Sequence, residues 1–371
     1  MDAFYASVEV LDQPELLGKP VIVGGLGSRG VVAAASYAAR KYGVFSAMPI
    51  QRARSLCPGG VYVRPRMSRY RAVSDEIFAL FRKFTPLVEG LSLDEAFLDV
   101  TSSLKALGDI ESIGRAVQKG IMESTGLQAS IGMAHNKFLA KLASDFRKPA
   151  GFYHVDADRV SAFLDPLPIG SLWGIGKKTE PRLRKIGVLT IGQLRKCEQQ
   201  MLRGVLGNRT SHFQRLARGE DDRELSPAKE DRSISHEITF DTDLLEHRQL
   251  FSELQRLSEA VMRRVRRQHL LAKTISIKVR DHRFRTSSRS KSLRMPTSST
   301  SGCYELARSL LRTWLQSNAN TPVRLLGVAV SGLLESTEEP GQIDQTLDRI
   351  SERYGDDAIT RGLALERKTR A

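Results

Sequence analysis

Cysteine is scarce in this chain of 371 residues, which contains only Cys57, Cys197 and Cys303. The three lie far apart without metal-ligand spacing, which predicts neither disulfides nor a zinc site and fits a reducing cytoplasm. Long apolar runs are also missing: no stretch of about 18 apolar residues occurs, which excludes a membrane-spanning helix. The opening, MDAFYASVEV, lacks the basic and apolar regions of a secretory signal. We therefore expect a cytoplasmic protein without a membrane segment.

Acidic residues are outnumbered, with 42 Asp and Glu against 57 Lys and Arg, for a net charge of +15. Such an excess usually indicates a polyanionic partner, nucleic acid ahead of a membrane surface, although a basic but indifferent surface is the alternative. The excess is concentrated between Arg256 and Arg294, where thirteen basic residues face two acids, Glu259 and Asp281. Because strand-like apolar residues interleave with these charges, we interpret the stretch as a binding surface.

Hydrophobic periodicity predicts an α+β protein with two domains. In the first, strands are expected at 20–24, at 30–35, on both sides of a bend in VEGLSLDEAFLDVT and in LQASIGMA, with helices at 67–84, 108–125 and in NKFLAKLASDFRK. Short helices separated by glycine follow from 159 to 226, and 227–232 is a polar connector. A second, smaller α+β domain is expected from four strands, HEITF, TISIKVR, SRSKSLRMP and LLGVAVSGL, with helices near 244–269 and 303–317.

The segment LSLDEAFLD carries an acidic pair, Asp94 and Glu95, between apolar residues. Adjacent strand residues point to opposite faces, so both carboxylates can serve one site only at a bend or a strand end. Two acids held close repel each other unless cations neutralise them, and hard oxygen ligands favour Mg²⁺. Two Mg²⁺ ions would suit a phosphoryl transfer. The alternative is an ordinary exposed acidic turn.

Five motifs resemble, in order, those of the Y-family DNA polymerases, and together they span roughly residues 1–335. They are MDAFYASVE, ASYAARKYGVFSAMP, SLDEAFLDVT, SIGMAHNKFLAKLASDFRKPAG and RSISHEITF. The resemblance implies low-fidelity, template-directed translesion synthesis from dNTPs with two Mg²⁺ ions, by a monomer shaped as a right hand. It implies a palm with a ferredoxin-like sheet (1–10 and 67–158), small fingers (11–66), a helical thumb with a helix-hairpin-helix (159–226), a linker (227–232), an α+β little finger (233–335) and a C-terminal tail (336–371).

The resemblance also assigns roles to individual residues. Asp94 would be a metal ligand, and Glu95 the acid that assists attack by the primer 3′-hydroxyl. Tyr5 would be the steric gate against a ribose 2′-hydroxyl, unless it is an ordinary core aromatic. Tyr37, Arg40 and Lys148 would hold the triphosphate, for which a hydroxyl, a guanidinium fork and an ammonium are suited. Asn136 and Lys137 are expected to shape the start of a helix.

One departure from the family pattern concerns the first metal-binding aspartate, which the family places two residues before the position of Asp2. Met1 falls where the family's metal-contacting backbone carbonyl would lie. Three explanations compete: a start codon assigned too late, a truncated protein that has lost activity, or rescue by Asp2. Strand alternation turns the side chain of Asp2 away from its neighbour's direction, which disfavours rescue.

Two regions are predicted to hold DNA without reading its sequence. The segment SLWGIGKKTEPRLRKIG resembles the thumb helix-hairpin-helix, in which Gly174 and Gly176 allow a tight turn, Lys177 and Lys178 add charge, and free amides face a phosphate. In the second domain, Lys278 and Arg280 share one strand face while Ile275, Ile277 and Val279 share the other. The expected phosphate contacts there are Lys273, Lys278, Arg280, Arg283, Arg285, Arg289, Lys291 and Arg294.

Two other functions, and the roles of two further regions, remain open. A catalytically impaired DNA-binding accessory protein would explain the missing aspartate, and a helix-hairpin-helix nuclease or glycosylase would explain the carboxylates. The second has no need of a triphosphate pocket. The arginines at 263–267 lie on a helix that either binds DNA or is partly solvated. The family's sliding clamp is a further implied partner, whose nearest candidate motif, Gln342–Thr346, lacks the usual apolar anchors.

Overall fold

A computed structural model of the chain describes residues 1–226, 233–337, 339–355 and 358–359. The chain folds as two compact units: the first holds residues 1–26 and 30–226, and the second holds residues 27–29 and the described residues from 233 onward. The predicted linker at 227–232 and residues 360–371 of the predicted tail therefore lie outside the described residues.

The first unit contains twelve helices longer than one 3₁₀ turn and seven strands in its described part. The helices are α1 (Phe4–Asp12), α2 (Tyr37–Arg40), α3 (Ile50–Leu56), α4 (Met67–Phe84), α5 (Leu104–Leu107), α6 (Ile110–Thr125), α7 (Lys137–Phe146), α8 (Val160–Leu164), α9 (Glu180–Lys185), α10 (Ile191–Lys196), α11 (Gln199–Leu206) and α12 (Thr210–Ala217). The strands are β1 (Val21–Gly24), β2 (Val32–Ala35), β3 (Val61–Val63), β4 (Val88–Gly90), β5 (Ala96–Leu98), β6 (Ile131–Met133) and β7 (Phe152–His154).

Strand β1 joins two hydrophobic cores because its side chains alternate between two faces. It pairs antiparallel with β2 and parallel with β3. Val21 and Val23 pack with α1, α4 and α6, whereas Ile22 packs with the small core of α2 and α3. The regions expected as palm and fingers thus share this strand.

The region expected as the palm contains two separate two-stranded ladders. Strands β4 and β5 form an antiparallel hairpin, and β6 pairs parallel with β7. Helix α4 matches the predicted 67–84, and α6 begins at the N-cap Asp109, whose side chain accepts from the Ser112 amide at 2.7 Å. Gly126, with φ of 68°, ends α6 in the left-handed conformation that favours glycine. These caps explain why α6 begins and ends close to the predicted bounds.

Helix α7 belongs by sequence to the palm motifs but packs with the short helices that follow. Its first turn is capped by Asn136, whose Oδ1 accepts from the Leu139 amide at 3.0 Å, so the expectation for Asn136 is confirmed. Phe138, Leu139 and Leu142 are buried with residues of α8 to α12. Helix α7 therefore connects the region expected as the palm to the core of the short helices α8 to α12.

The second unit is a four-stranded antiparallel sheet covered on one face by two long helices. Its elements are β8 (Ser233–Leu244), α13 (His247–Arg267), β9 (Leu270–Asp281), β10 (Thr286–Thr297), α14 (Thr300–Ser317), β11 (Val323–Glu335) and α15 (Gln342–Tyr354), with strand order β10-β9-β11-β8. Ile275, Ile277 and Val279 are buried against α13 and α14. The predicted alternation of β9 is therefore confirmed.

The structure also describes the three cysteines and the apolar character of the helices. All three cysteines are free thiols, and burial raises the pKa of Cys303 to about 12. No helix among the described residues has the length and apolar character needed to cross a membrane.

Candidate active site and DNA-binding surfaces

The acidic pair lies on the bend of the β4–β5 hairpin, the position that lets both carboxylates serve one site. The amide nitrogens of Leu91 and Ser92 donate to the Glu95 carbonyl at 2.9 and 3.3 Å, which closes the bend. The Ser92 hydroxyl donates to Asp94 Oδ1 at 2.7 Å and fixes that carboxylate. Asp94 and Glu95 are half-buried and line a cavity of about 180 Å³. Lys148 lines the same cavity.

A chain of ion pairs from helix α7 reaches this cavity. Lys141 Nζ lies 3.0 Å from Glu95 Oε1 and 2.9 Å from Asp145 Oδ2, and Lys148 Nζ lies 2.7 Å from Asp145 Oδ1. Burial alone would raise the pKa of Asp145, but its hydrogen bonds to the two lysines hold the pKa below the usual value. Burial would lower the pKa of Lys141, but Asp145 and Glu95 raise it. One carboxylate thus holds two ammonium groups beside the acidic pair.

Sequence reasoning missed Lys141 and Asp145. The available signal was their spacing on a helix, because residues three or four apart face each other. Lys141, Asp145 and Lys148 have that spacing, but it is common on solvated helices.

Tyr5 lies in the first turn of α1 and stacks on Tyr70 of α4, with ring centroids 4.3 Å apart and planes 10° apart. Tyr70 is buried, and its hydroxyl donates to Glu9 Oε1 at 2.5 Å. Burial raises the pKa of Tyr5, and the negative charge of Asp94 raises it further. The Tyr5 phenol therefore lies near the acidic pair and is supported from behind by a second ring.

Tyr37 and Arg40 lie together on the short helix α2. The guanidinium of Arg40 stands 4.4 Å from the centre of the Tyr37 ring, and its Nε donates to the Ala35 carbonyl at 3.1 Å. The Tyr37 hydroxyl is buried and has no hydrogen-bond partner among the described residues. An orphaned buried hydroxyl is costly unless a ligand satisfies it. This pair therefore fits an anionic, oxygen-rich ligand.

Asp2, whose role as a metal ligand is disfavoured by strand alternation, has its carboxylate bound by neighbouring groups. Ser130 Oγ donates to both of its carboxylate oxygens at 2.9 Å, and the Ala150 amide donates to Oδ2 at 2.7 Å. A ligand role would break these bonds in a site where Asp2 is buried. The backbone nitrogen of Met1 donates to the Asp94 carbonyl at 2.7 Å, so Met1 borders the cavity through its backbone. Asp2 thus joins the start of the chain to the region around β6 and β7.

The donor set of the cavity suits a divalent cation such as Mg²⁺. No group of three or more His, Cys, Asp or Glu side chains capable of holding a metal exists within the described ranges. Two carboxylates, Asp94 and Glu95, are available. Mg²⁺ is usually held by one or two carboxylates together with waters and substrate phosphates. The residues present therefore fit an ion that arrives with a phosphate ligand.

The GIGKK turn precedes the six-residue helix α9. Gly174 has φ of 96°, which only glycine adopts readily, whereas Gly176 does not, and a side chain there would meet nothing within 4 Å. The expectation that both glycines serve the turn thus holds for Gly174 alone. Lys177 and Lys178 are exposed, and their amides have no acceptor in the described part of the chain. The turn therefore offers donors and charge to a phosphate.

The basic residues of the second unit divide between two faces of the sheet. Lys278 and Arg280 lie on the face opposite the helices, with Ser276, Ser288 and Ser290 beside them. Arg289 and Lys291 pair with Ile277 and Ile275, so they lie on the helix side, at the exposed edge of the sheet. The expected contacts thus form two separate surfaces.

Several of these cations already have partners. Lys278 Nζ lies 2.8 Å from Glu237, and Arg285 Nε lies 2.7 Å from the buried Asp281. Asp281 also accepts from the amides of Arg283 and Arg285, both at 2.9 Å, and so organises the turn between β9 and β10. Lys273 and Arg294 are exposed.

The arginine cluster on α13 is divided as well. Arg266 is buried and pairs with Asp348 of α15 at 2.6 Å, while Arg263 lies 3.6 Å from the same carboxylate. These two arginines bind α15 and are not a solvated face. The predicted clamp motif forms the first turn and a half of that helix, with Ile343 71% exposed and Asp344 buried, accepting from the Thr300 amide.

Comparison with known proteins agrees with the order of these features. The chain matches the model of the impB/mucB/samB family at residues 1–145, its C-terminal domain at 231–345 and the IMS family HHH motif at 157–188. The chain therefore belongs to this family, the Y family of DNA polymerases. It is 44% identical over 374 residues to a DNA polymerase IV of Desulfatibacillum aliphaticivorans, covering 97% of this chain and 94% of the relative.

Further relatives support the same assignment. A DNA polymerase IV of Alkalilimnicola ehrlichii is 44% identical over 342 residues, covering 91% of this chain and 95% of the relative. Among solved structures, a Y-family DNA polymerase chimera of Dbh and Dpo4 matches with a TM-score of 0.81 at 27% identity, covering 90% of this chain and 98% of the other. An insertion ternary complex of Dbh DNA polymerase matches with a TM-score of 0.65 over the same shares. The expected α+β class and its likeness to Y-family polymerases are thus confirmed, whereas the ferredoxin-like palm sheet is corrected, because the described residues of that region form two separate two-stranded ladders.

Proposed function

We propose that this chain is a DNA-directed DNA polymerase that extends a primer by transferring nucleotides from dNTPs, including opposite damaged template bases. The observation that best supports this proposal is that Asp94, Glu95 and Lys148 border the same cavity in a chain of this family. Its relatives are DNA polymerases IV, and one similar solved structure is an insertion ternary complex of Dbh DNA polymerase. It would act as a monomer in the cytoplasm.

Asp94 and Glu95 are the residues that would hold Mg²⁺, as two ions in our proposal. When bound, such ions stabilise the charge that develops on the attacking and leaving oxygens. The protein's own part is to place the carboxylates on a fixed bend, where Ser92 orients Asp94. Lys141 keeps Glu95 paired, and Lys148 supplies a positive charge for the triphosphate.

Three residues outside the lining of this cavity would select and orient the nucleotide. Tyr37 and Arg40 would hold triphosphate oxygens, since the hydroxyl of Tyr37 is otherwise unsatisfied. Tyr5, backed by Tyr70, would exclude a ribose 2′-hydroxyl by its bulk. These positions together favour polymerisation over hydrolysis.

DNA would be held by two surfaces. The GIGKK turn with Lys177 and Lys178 would receive one phosphate, and the open face of the sheet with Lys278 and Arg280 would receive others. Small hydroxyl side chains on that face, such as Ser276 and Ser288, allow a sugar–phosphate backbone to approach closely. The sliding clamp is a further proposed partner through the exposed part of α15.

Replacing Asp94 with asparagine tests the catalytic assignment. Asp94→Asn keeps the shape but removes a charge, so single-turnover incorporation with Mg²⁺ should fall by about 10²–10³-fold, the usual cost of losing one electrostatic stabiliser. Asp99→Asn is the matched control, because Asp99 ends the same motif but accepts from the Thr101 amide. Equal rates for the two variants would refute the assignment, and binding of primer–template DNA should be alike in both.

A further inference from the structure

A buried ion pair behind the acidic hairpin has no part in the chemistry described above. Lys137 Nζ, at the start of α7, lies 2.5 Å from Glu89 Oε2 of β4. Lys137 is 8% exposed and Glu89 5%. Burying two charges is expensive and often no more stabilising than an apolar pair, so such a pair calls for a role in specifying an arrangement.

The arrangement that this pair specifies is the path of residues 219–226, the last described segment before the second unit. The Ser226 amide donates to Glu89 Oε2 at 2.8 Å, and Lys137 Nζ donates to the Glu224 carbonyl at 3.1 Å. Each member of the ion pair thus also binds the backbone of this segment.

The residues on either side of Lys137 hold the same segment. Asn136 Nδ2 donates to the Gly219 carbonyl at 2.7 Å, and the Phe138 amide donates to Asp221 Oδ2 at 3.1 Å. Three consecutive residues, the N-cap Asn136 and the first two residues of α7, therefore contact residues 219–224. A contact repeated by three neighbours defines one path for the segment.

The same cluster reaches the acidic hairpin and the helix-hairpin-helix turn. Lys137 Nζ lies 5.4 Å from the centre of the Phe97 ring, two residues beyond Glu95. The ring centres of Phe97 and Trp173 are 6.3 Å apart, and the Arg223 guanidinium carbon lies 4.6 Å from the centre of the Trp173 ring. Trp173 directly precedes Gly174. The cluster therefore connects the β4–β5 hairpin, the GIGKK turn and the segment 219–226.

We propose that Lys137 and Glu89 are positioning residues that anchor the segment 219–226 to the acidic hairpin, so that the chain leaves the first unit at a fixed point relative to the active site. The anchoring itself does not depend on the proposed polymerase function, but the expected loss of processivity does. When the anchor is lost, the segment that leads to the second unit no longer leaves the first unit from a fixed point, and the enzyme dissociates after fewer additions. The cavity itself keeps all its residues.

Lys137→Met tests the anchor, with Lys137→Arg as the conservative variant that keeps a charge and several donors. Hydrogen–deuterium exchange of residues 219–226 should rise at least about tenfold in Lys137→Met, because the bond to the Glu224 carbonyl is lost and Glu89, which accepts from the Ser226 amide, loses its ion pair with Lys137. The number of nucleotides added per binding event should fall severalfold. The single-turnover rate at saturating DNA should stay within about twofold, since no group at the reacting centre has changed. Lys137→Arg should restore both exchange protection and processivity.

Two further variants keep the test decisive. Glu89→Gln/Lys137→Met removes both buried charges, so it should fold even if Lys137→Met does not, and it should show the same faster exchange. Arg266→Met breaks a buried ion pair in the second unit and should leave exchange of 219–226 unchanged. Unchanged exchange in Lys137→Met and in Glu89→Gln/Lys137→Met overturns the proposal, as does a single-turnover rate that falls in step with processivity. A wild-type chain that incorporates no nucleotide would instead refute the proposed function, while the exchange result still decides the anchor.

Discussion

Replacing Lys278 and Arg280 with glutamine should weaken the salt dependence of DNA binding, whereas the same change at Arg289 and Lys291 should not. Lys278 and Arg280 lie on β9, and Arg289 and Lys291 lie on the neighbouring β10. Each double substitution removes two positive charges. They differ in the face they occupy, since Arg289 and Lys291 share a face with the buried Ile277 and Ile275. The comparison therefore separates position on the sheet from net charge.

The size of the effect follows from counterion release. Each duplex phosphate neutralised contributes about −0.9 to the slope of log K against log salt, so loss of two contacts should flatten the slope by about 2 units. Lys278 is paired with Glu237, but the two side chains are 38% and 50% exposed. Such a surface pair is worth about 0–1 kcal/mol and can be exchanged for a phosphate at little cost.

Titrations of a primer–template duplex at several salt concentrations measure both slopes. Single-nucleotide incorporation at saturating DNA should be the same in the two double variants, because all four residues belong to the second unit. Equal slopes for wild type and Lys278→Gln/Arg280→Gln would show that the open face does not contact DNA. A larger loss in Arg289→Gln/Lys291→Gln would place the DNA at the edge of the sheet instead.

Two other perturbations probe the gate and the β9–β10 turn. Tyr5→Ala should raise ribonucleotide use relative to deoxynucleotide by about 10–200-fold, the range of a steric discrimination of about 1–3 kcal/mol, and an unchanged incorporation ratio would make Tyr5 an ordinary core residue. Asp281→Asn should destabilise the second unit by about 1–2 kcal/mol near neutral pH, as judged by denaturant unfolding, because Arg285 Nε loses its charged acceptor and the two amide bonds lose the carboxylate charge. Burial would raise the pKa of Asp281, but bonds from Arg285 and Arg283 hold it below the ordinary 3.8. Its contribution is thus present above about pH 4 and disappears as pH falls through the lowered folded-state pKa, so a difference between the two proteins that persists at the lowest pH would contradict this account.

Features encoded by local pattern were predictable from the sequence. Helix α4, the β4–β5 hairpin and the alternation of β9 each follow from apolar spacing over one element, and the structure has them where the pattern places them. The placement of Asp94 and Glu95 on a bend also followed, because it depends only on strand geometry. These predictions needed no knowledge of which elements meet.

Features that depend on contacts between distant elements were not predictable. Lys137 was expected to shape a helix start, yet its ammonium binds Glu89, forty-eight residues earlier in the chain. Arg266 was expected on a basic surface, yet it is buried against Asp348. The sequence near either residue does not identify its partner. A local charge pattern is the same whether the charged group is solvated or paired with a residue far along the chain.

The face of an edge strand shows the same limit in another form. Strand β10 reads as alternating serine and basic residues, and alternation alone does not say which set faces the helices. Register with β9 decides it: Arg289 opposite Ile277 and Ser288 opposite Lys278. The long basic side chains on the helix side extend past the covered core at the sheet edge, while the serines keep the open face flat beside Lys278. A sheet face on which serines flank Lys278 and Arg280 suits a sugar–phosphate backbone of any sequence, because the short side chains allow close approach and the two cations meet phosphates rather than bases.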